Sequence, residues 1–402
     1  MTEYIDWRTK GFFRPGPPVP LEEFAAARHH LFGGAFTWPV LVAHGSALAH
    51  NIETLARFCA RRGLELAPHA KTTMAPALFR AQLRAGAVAM TVSTANQLLA
   101  CRALGVPRVL LANELLDPAA LGWLAAEVDR GFDVLCYVDS LAGVRAMAAT
   151  SGATPVRMLV ELGYPGGRTG CRDADELAAV ARAVVAEHRT VLAGVAAYEG
   201  GLPDVDAAGR YLDGVRAAVG QLAPMLPKEV VLTAGGSKYF DIVADRLAGQ
   251  WLPGQRLRVL LRSGAYVSHD DGVYQGWTPF RRIPDEGSLH PALEIWAQVT
   301  STPEPGLAIL GMGKREVSYD EGLPVPRTIR ALDGTLRPAD GLRTTATNDH
   351  HAYVEIADGA HLAPGELVGF GISHPCTAFD KWQVIPVVDD AYTVTDLLRT
   401  YF

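Results

Sequence analysis

Leu64-Glu65-Leu66-Ala67-Pro68-His69-Ala70-Lys71-Thr72 opens the part of the sequence that decides the fold. Its first four residues alternate weakly and predict a short strand, which Pro68 ends because proline cannot donate to a strand ladder. Lys71 therefore follows directly after a strand, where its amine can face a cavity. The ordinary alternative at such a position is an exposed loop lysine.

The strand-then-helix pattern that begins here continues as far as residue 261. Eight short apolar runs predict strands at 64–67, 88–92, 109–112, 134–138, 156–160, 191–197, 230–233 and 257–261. Ala- and Leu-rich stretches predict helices at 95–104, 117–130, 140–150, 173–187, 205–222 and 238–248. Continuous Val/Leu runs indicate strands buried on both faces, as in a parallel sheet covered by helices. Eight such units favour an α/β fold with a closed (β/α)8 TIM barrel, and an open doubly wound sheet is the alternative.

The sequence changes in character after Gly264, where short β-rich runs replace the Ala/Leu-rich helices. These runs predict a mostly antiparallel C-terminal β domain with strands at 293–300, 307–310, 352–356, 367–371 and 382–388. A strand at 38–43 and a helix capped by Ser46 come before the barrel. We therefore expect an irregular N-terminal extension at 1–36, a barrel at 44–270, and a β domain formed by 37–43 and 271–402.

Composition excludes several classes of protein. The 402 residues are 49% hydrophobic and 20% charged, with a formal net charge of −6, as in an ordinary water-soluble globular protein. This acidity argues against nucleic acid as a partner, and no apolar run approaches the roughly 18 residues that indicate a membrane span. The acidic, aromatic N-terminus is unlike a signal peptide, and the five scattered cysteines form no disulfide framework. We expect a cytoplasmic protein.

Polar residues at the carboxyl ends of the predicted strands mark the expected active site, because barrel enzymes place their sites at this end. Thr233-Ala234-Gly235-Gly236-Ser237 presents backbone N–H groups and a hydroxyl at the start of a predicted helix, which is a natural phosphate cradle. A plain tight turn is the alternative. A phosphate site combined with an inward-facing Lys71 suggests pyridoxal phosphate (PLP) attached covalently to that lysine.

Four motifs then carry a resemblance to a known family. They are Pro68-His69-Ala70-Lys71-Thr72, Arg168-Thr169-Gly170, Tyr198-Glu199-Gly200 and Thr233-Ala234-Gly235-Gly236-Ser237. Together they resemble the fold-type III PLP enzymes of the D-threonine aldolase and D-serine dehydratase family, which are relatives of alanine racemase. The resemblance extends over residues 38–388 and implies an alanine racemase-like barrel and a homodimer.

The resemblance also implies roles for individual residues. Those expected to contact the cofactor are Lys71, His69, Arg168, Tyr198, Gly235, Gly236, Ser237 and Tyr266. Lys71 would carry the cofactor and act as the base at Cα of a D-amino acid. Arg168 would lie near the ring oxygen of the cofactor, and the 235–237 turn would hold its phosphate. The ordinary alternatives are a loop salt bridge for Arg168 and rim packing for Tyr198 and Tyr266.

A second group of candidate residues lies in the predicted β domain. His374 and Cys376 are two residues apart, so on an extended strand they would point to the same face, and both are good zinc ligands. In the family that the chain resembles, a His-x-Cys or His-x-Asp pair near this position binds a divalent metal. The resemblance therefore implies Zn²⁺, or Mn²⁺, at His374 and Cys376, and the Cys form accompanies dehydratase members.

Two further polar clusters are weaker candidates. Asn348-Asp349-His350-His351 lies where relatives carry an acidic-His-Gly triplet, so His350 is a candidate catalytic residue near the substrate or metal. His351 replaces the family's glycine. His269-Asp270-Asp271, which follows the last barrel strand, predicts a solvated turn in preference to a metal site.

These residues predict a PLP- and metal-dependent lyase that acts on D-β-hydroxy-amino acids. The favoured reaction is of the D-serine dehydratase type, with elimination of water to give a 2-keto acid and ammonia. The first alternative is retro-aldol cleavage of the D-threonine aldolase type, which gives glycine and an aldehyde. An amino-acid racemase and a non-catalytic PLP carrier are further alternatives, although the carrier class generally lacks a β domain.

Overall fold

The computed structural model of the chain describes residues 3–402. Met1 and Thr2 lie outside the described residues. They are the first two residues of the predicted N-terminal extension and of the stretch that is unlike a signal peptide. The prediction that the extension is irregular is wrong for three elements: β1 (Tyr4–Ile5), β2 (Val19–Pro20) and α1 (Leu21–Ala26). The strands pair with each other, and aromatic side chains such as Phe24 anchor the segment on the β domain.

The elements of the barrel follow the predicted runs closely. They come after β3 (Val40–His44) and α2 (Gly45–Arg62), and α2 begins one residue before the expected Ser46 cap. The barrel strands are β4 (Glu65–Leu66), β5 (Met90–Val92), β6 (Arg108–Glu114), β7 (Asp133–Val138), β8 (Val156–Leu162), β9 (Thr190–Ala197), β10 (Glu229–Thr233) and β11 (Arg256–Leu261). The helices are α3 (Pro76–Arg84), α4 (Ala95–Ala103), α5 (Pro118–Asp129), α6 (Leu141–Ala148), α7 (Ala174–Ala186), α8 (Val205–Leu222) and α9 (Phe240–Leu247).

The eight parallel strands close into a barrel. β4 pairs with β11 on one side. On the other side a parallel bridge between His69 and Thr91 and a 2.8 Å bond from the Val88 N–H to the Leu66 carbonyl join β4 to β5. Small and branched side chains from these strands fill the interior. The structure confirms the predicted TIM barrel and excludes the open sheet.

A separate, mainly antiparallel sheet forms the second domain, as predicted. Its elements are α10 (Val273–Trp277), β12 (Leu293–Glu304), β13 (Leu307–Leu310), β14 (Val325–Arg330), β15 (Leu336–Pro338), β16 (Leu342–Thr347), β17 (Ala352–Ile356), β18 (Leu367–Gly371), α11 (Cys376–Phe379), β19 (Val384–Val388) and β20 (Val394–Arg399). β3 pairs with β12 and β19. The chain therefore enters this sheet before it builds the barrel.

The two domains share one hydrophobic core. A single cluster of buried side chains includes barrel residues such as Leu177 and β-domain residues such as Phe370. Among residues 3–402, the structure contains no helix with the length and apolar character needed to cross a membrane.

Candidate active site

A cavity of about 320 Å³ lies at the carboxyl ends of the barrel strands, where the β domain meets the barrel. Eight residues predicted from the sequence line it: His69, Lys71, Arg168, Tyr198, Gly236, Ser237, His374 and Cys376. The structure thus brings six of the eight predicted cofactor residues of one domain together with both predicted metal ligands of the other. No aspartate or glutamate within residues 3–402 lines the cavity.

Lys71 reaches the cavity from a 3₁₀ turn over Ala70–Thr72 that follows the bend at Pro68. Burial lowers the pKa of the Lys71 amine, and the nearby guanidinium groups of Arg168 and Arg262 lower it further, whereas Cys376 raises it. A lower pKa increases the neutral fraction of an amine, and the neutral amine is the nucleophile and base. The ordinary alternative of an exposed loop lysine does not hold, because the side chain is largely buried.

His69 lies beside Lys71, half-buried in the wall of the cavity. Burial, followed by the charges of Lys71 and Arg262, lowers the pKa of His69 well below its usual value, so the ring is neutral. Its Nδ1 has no hydrogen-bond partner among the described residues. Gly264 allows this packing, since a Cβ at that position would lie 2.6 Å from Thr72 Oγ1 and 2.7 Å from the His69 Cβ.

Arg168 and Tyr198 form one wall of the cavity. The Arg168 guanidinium carbon lies 4.4 Å from the centroid of the Tyr198 ring, which is a cation–π distance. The loop that carries Arg168 is held by Arg172, which the sequence did not single out. Its guanidinium donates hydrogen bonds of 3.1–3.3 Å to four carbonyl groups, those of Tyr164, Gly167, Arg168 and Thr169.

The turn that was predicted to bind phosphate has two of its N–H groups bonded within the protein. The fully buried Glu199 carboxylate accepts the N–H groups of Gly235 at 3.1 Å and Gly236 at 3.0 Å. These two N–H groups are therefore not free for a phosphate. The N–H groups of Ser237 and Ala265, by contrast, bond to no other described residue, and both residues line the cavity.

Three of the predicted residues do not line the cavity: Tyr266, His350 and Gly235, whose N–H is bonded to Glu199. The Tyr266 side chain packs in the core, and its hydroxyl accepts a 2.9 Å hydrogen bond from Gln82 on α3. The Tyr266 hydroxyl is therefore engaged with α3, and its contact with the cofactor stays a prediction. His350 is 63% exposed at its side chain, with Nδ1 2.9 Å from Glu316 Oε1, and it does not line the cavity.

His374 and Cys376 line the cavity, but they do not lie on an extended strand as predicted. β18 ends at Gly371, His374 has a φ of +66°, and Cys376 begins the short helix α11. His374 Nδ1 lies 2.6 Å from Asp320 Oδ2, and the Cys376 thiol lies 3.5 Å from Thr72 Oγ1. The nearby Cys376 thiol and the Asp320 carboxylate raise the pKa of His374 to about 9.

The predicted solvated turn at His269-Asp270-Asp271 is also wrong. His269 and Asp270 are each 1% exposed. Their backbone folds inward because Asp270 accepts several backbone N–H groups, and His269 Nε2 lies 2.7 Å from Gln275 Oε1. A buried, fully bonded carboxylate has a structural or positioning role.

Two family models match the chain. Residues 44–244, half of the chain, match the alanine racemase N-terminal domain. Residues 292–388 match the domain described as "Putative serine dehydratase domain". The chain belongs to the fold-type III family of PLP enzymes. Two findings agree with the resemblance seen in the sequence. The barrel residues match the family model, and Lys71 follows the first barrel strand.

Three relatives of this fold-type III enzyme illustrate the likeness. The 3-hydroxy-D-aspartate aldolase of Paracoccus denitrificans is 24% identical over 80% of this chain and 81% of its own. The D-threo-3-hydroxyaspartate dehydratase of Delftia sp. is 28% identical over 80% of this chain and 84% of its own. A cysteine-to-alanine mutant of D-threo-3-hydroxyaspartate dehydratase, solved in the metal-free form, has a TM-score of 0.69 at 23% identity. The likeness covers 91% of this chain and 97% of the mutant's chain. D-threonine aldolase from Filomicrobium marinum has a TM-score of 0.73 at 22% identity, over 90% of this chain and 94% of its own.

The cavity of this fold-type III enzyme fits an anionic, ring-shaped cofactor. Four cationic side chains line it, namely Lys71, Arg168, Lys238 and Arg262. Two buried polar atoms, His69 Nδ1 and the Tyr137 hydroxyl, lack partners among the described residues and border the same space. Such orphaned groups inside a cavity are expected where a ligand completes the bonding. The chemistry of the site is therefore consistent with PLP.

Sequence reasoning missed several residues of the cavity. Arg262 is buried at its base, where it donates to Thr233 Oγ1 and the Ala197 carbonyl, each at 2.7 Å. Its position directly after β11 was a usable signal. No sequence signal pointed to Tyr137, because a continuous apolar strand does not reveal which side chains point into the barrel. Trp277 also lines the cavity, whereas Phe379 is buried in the core.

Proposed function

We propose that this PLP-dependent lyase acts on D-β-hydroxy-amino acids and eliminates water from them, in the manner of a D-serine dehydratase. The observation that carries the proposal is the meeting of Lys71 with the His374–Cys376 pair in one cavity. PLP, when bound, would delocalise the negative charge that develops at Cα of the substrate. The relatives' names, which include aldolases and dehydratases of β-hydroxy-D-amino acids, support this substrate class.

Lys71 would hold the cofactor and move the proton. Its lowered pKa increases the fraction of neutral amine, and the neutral amine can accept the proton from Cα. In the elimination the Cα–H and Cβ–O bonds break and a Cα=Cβ double bond forms. The proton taken by Lys71 leaves with the hydroxide as water, and hydrolysis then gives a 2-keto acid and ammonia. His69 stays neutral beside Lys71 and adds no competing charge.

Arg168, Ser237 and Ala265 would orient the cofactor. Arg168 faces the cavity over the Tyr198 ring, where a guanidinium can donate to a ring oxygen. The free N–H groups of Ser237 and Ala265 replace those of Gly235 and Gly236 in the proposed phosphate cradle. Anion binding by backbone N–H groups at the start of helices is common in proteins.

His374 and Cys376 would hold a divalent metal ion, with Zn²⁺ favoured and Mn²⁺ as the alternative. A metal bound there would supply Lewis acidity at the substrate's β-hydroxyl. Within residues 3–402 no group of three His, Cys, Asp or Glu side chains could hold a metal ion. The pair would thus supply two ligands and leave positions for water and substrate oxygen atoms, as catalytic metal sites do. The structure of a D-threo-3-hydroxyaspartate dehydratase mutant described as the metal-free form supports a metal in this group of enzymes.

The second candidate is retro-aldol cleavage, which the aldolase names among the relatives favour. The two reactions share the same Lys71 base and substrate class but differ in the bond that breaks at Cβ. A product assay separates them. The chain is incubated with PLP, Zn²⁺ and either D-serine, D-threonine or D-threo-3-hydroxyaspartate, and the keto acid, ammonia, glycine and aldehyde are quantified.

The expected result is a 2-keto acid with an equal amount of ammonia. Glycine with an aldehyde would replace the dehydratase proposal by the aldolase one. Lys71→Ala should lose at least about 10³-fold in rate, because anchor and base are removed together. Borohydride reduction followed by peptide mapping should find the pyridoxyl group on Lys71 in the parent chain and on no lysine in the variant. A PLP-loaded chain that lacks this adduct would contradict the proposal.

A further inference from the structure

A buried carboxylate joins the barrel to the segment that carries the His374–Cys376 pair. Asp270, nine residues after the last barrel strand, is 1% exposed. Its Oδ2 accepts the His374 N–H at 2.8 Å. Its Oδ1 accepts three N–H groups of its own loop at 3.0–3.1 Å, those of Gly272, Tyr274 and Gln275. One oxygen therefore organises the loop after the barrel, and the other bonds across to the β domain.

The two loops also approach each other at the level of the backbone. The Asp271 N–H donates to the Ile372 carbonyl at 2.9 Å. Ser373 Oγ accepts the Val273 N–H at 3.2 Å. A Cβ at Gly272 would lie only 2.2 Å from Ser373 Oγ, so a side chain there would push the loops apart. The position of the His374 segment is thus set by the loop at 270–275, which follows the barrel.

His374 occupies a backbone conformation that needs such support. Its φ of +66° is rare for a residue with a side chain, and such conformations persist only where the surroundings over-determine them. Asp270 fixes the backbone N–H, and Asp320 fixes Nδ1 of the ring at 2.6 Å. Nε2 then remains the available ring nitrogen. Metal-binding imidazoles generally have their second nitrogen bonded in this way.

We infer that Asp270 is a positioning residue. It holds His374, and through His374 also Cys376, against the barrel so that the pair faces the same cavity as Lys71. The inference rests on the proposed function, because it takes the pair to be metal ligands. Cys376 has a matching contact of its own, since its thiol lies 3.5 Å from Thr72, the residue after Lys71. The barrel therefore holds both members of the pair, one through Asp270 and one through Thr72.

Asp270→Asn separates this role from that of a simple loop cap. The amide keeps one oxygen for the three N–H groups of its own loop, but its NH₂ group replaces the oxygen that faces the His374 N–H. Two donors then face each other and the cross-domain bond is lost. The matched control is Asp117→Asn, because Asp117 caps α5 by accepting the Ala120 N–H at 2.8 Å in an exposed position. Asp270→Ser is a second variant, since serine also caps helices but is too short to bond both loops.

The experiment titrates the full-length, PLP-loaded chain with Co²⁺ alone as the metal probe. It measures the dissociation constant and the thiolate-to-cobalt charge-transfer band, which reports bonding to Cys376. Asp270→Asn should weaken Co²⁺ binding by about 10- to 100-fold, as loss of an orienting partner does, and should diminish the band. The visible absorbance of PLP should stay unchanged, and Asp117→Asn should match the parent chain in all readouts.

Unchanged Co²⁺ affinity and an unchanged band in Asp270→Asn, or in Asp270→Ser if the first variant does not fold, would overturn the inference. Failure of the proposed metal site has a different signature. In that case the parent chain binds no Co²⁺, or binds it equally well after His374→Ala, and the inference falls together with the site.

Discussion

Lys71 and His69 show how a few side chains create the chemistry of the cavity. Both are carried past the end of β4 by the bend at Pro68, and burial lowers the pKa of each. Because Arg168 and Arg262 stand close by, protonation of either residue would add positive charge to an already cationic space. The result is a neutral imidazole beside an amine that can lose its proton, the state that a base needs.

The first prediction concerns acid stability and His69. The unfolded His69 ring takes up a proton near its ordinary pKa of 6.5, whereas the folded ring, with a much lower pKa, does not. Below that pH the unfolded state binds the extra proton, so the free energy of unfolding decreases as the pH falls, by up to about 1.4 kcal/mol per pH unit. His69→Asn should remove this contribution. Denaturant unfolding of both chains between neutral and acidic pH measures the difference.

His188→Asn is the control for this prediction, because His188 is exposed after α7. That variant should keep the pH dependence of the parent chain. If His69→Asn and the parent lose stability in parallel as the pH falls, the buried neutral ring is not the cause.

Loops and strand ends, more than helices and strands, decide what the site can bind. The turn between β10 and α9 has the composition of a phosphate cradle, yet Glu199 occupies two of its N–H groups. This carboxylate comes from the end of β9, so a neighbouring strand determines which donors remain free. The loop at 168–172 follows the same rule, because the Arg172 guanidinium holds its carbonyl groups.

The second prediction tests the support of this turn by Glu199. Glu199→Gln replaces one carboxylate oxygen by an NH₂ group, so one buried N–H of the turn loses its acceptor. An unsatisfied buried donor costs about 1–3 kcal/mol. We expect a loss of that size in the free energy of unfolding, together with weaker PLP binding because the turn is less well ordered. Denaturant unfolding and fluorescence titration with PLP measure the two effects.

Glu53→Gln, on the exposed face of α2, is the matched control for this substitution. It should change neither quantity appreciably, since surface substitutions usually stay within about 0.5 kcal/mol. A Glu199→Gln chain that binds PLP as tightly as the parent would show that the turn needs no such support.

The molecule as a whole is a barrel inserted into a β domain. β3 enters the antiparallel sheet, the chain then builds the barrel, and β12 returns to pair with β3. The N-terminal segment packs on the same sheet through a group of phenylalanine rings, with Phe24 5.2 Å from Phe12 and 5.9 Å from Phe36 between ring centroids. A shared core links both domains. The homodimer implied by the sequence resemblance stays a prediction.

The third prediction concerns the N-terminal segment. Phe24 is 5% exposed, and Phe24→Ala should lower the free energy of unfolding by about 3–5 kcal/mol, as truncation of a buried phenylalanine does. Guanidinium unfolding followed by circular dichroism measures the loss. The control is Phe13→Ala, because Phe13 belongs to the same segment but is 58% exposed. Equal effects of the two variants would mean that the segment adds no stability by packing on the sheet.

The barrel could be predicted almost element by element from the sequence. Each of its eight predicted strands is present, and β9 (Thr190–Ala197) differs by one residue from the predicted 191–197. Strands such as β14 (Val325–Arg330) were missed because their half-exposed residues carry no apolar run. The predicted geometry of His374 and Cys376 was wrong, because a φ of +66° leaves no trace in residue order.

By itself the sequence determined the fold class, the lysine at the end of the first barrel strand, and the His374–Cys376 pair. Apolar runs, turn residues and strand ends are local properties, so they can be read in order along the chain. Only the tertiary structure decided that Glu199 bonds the phosphate turn, that Tyr266 and His350 lie outside the cavity, and that Asp270 holds His374. These contacts join residues that are distant in sequence, such as the 104 positions between Asp270 and His374. Which partners meet depends on how the two domains pack.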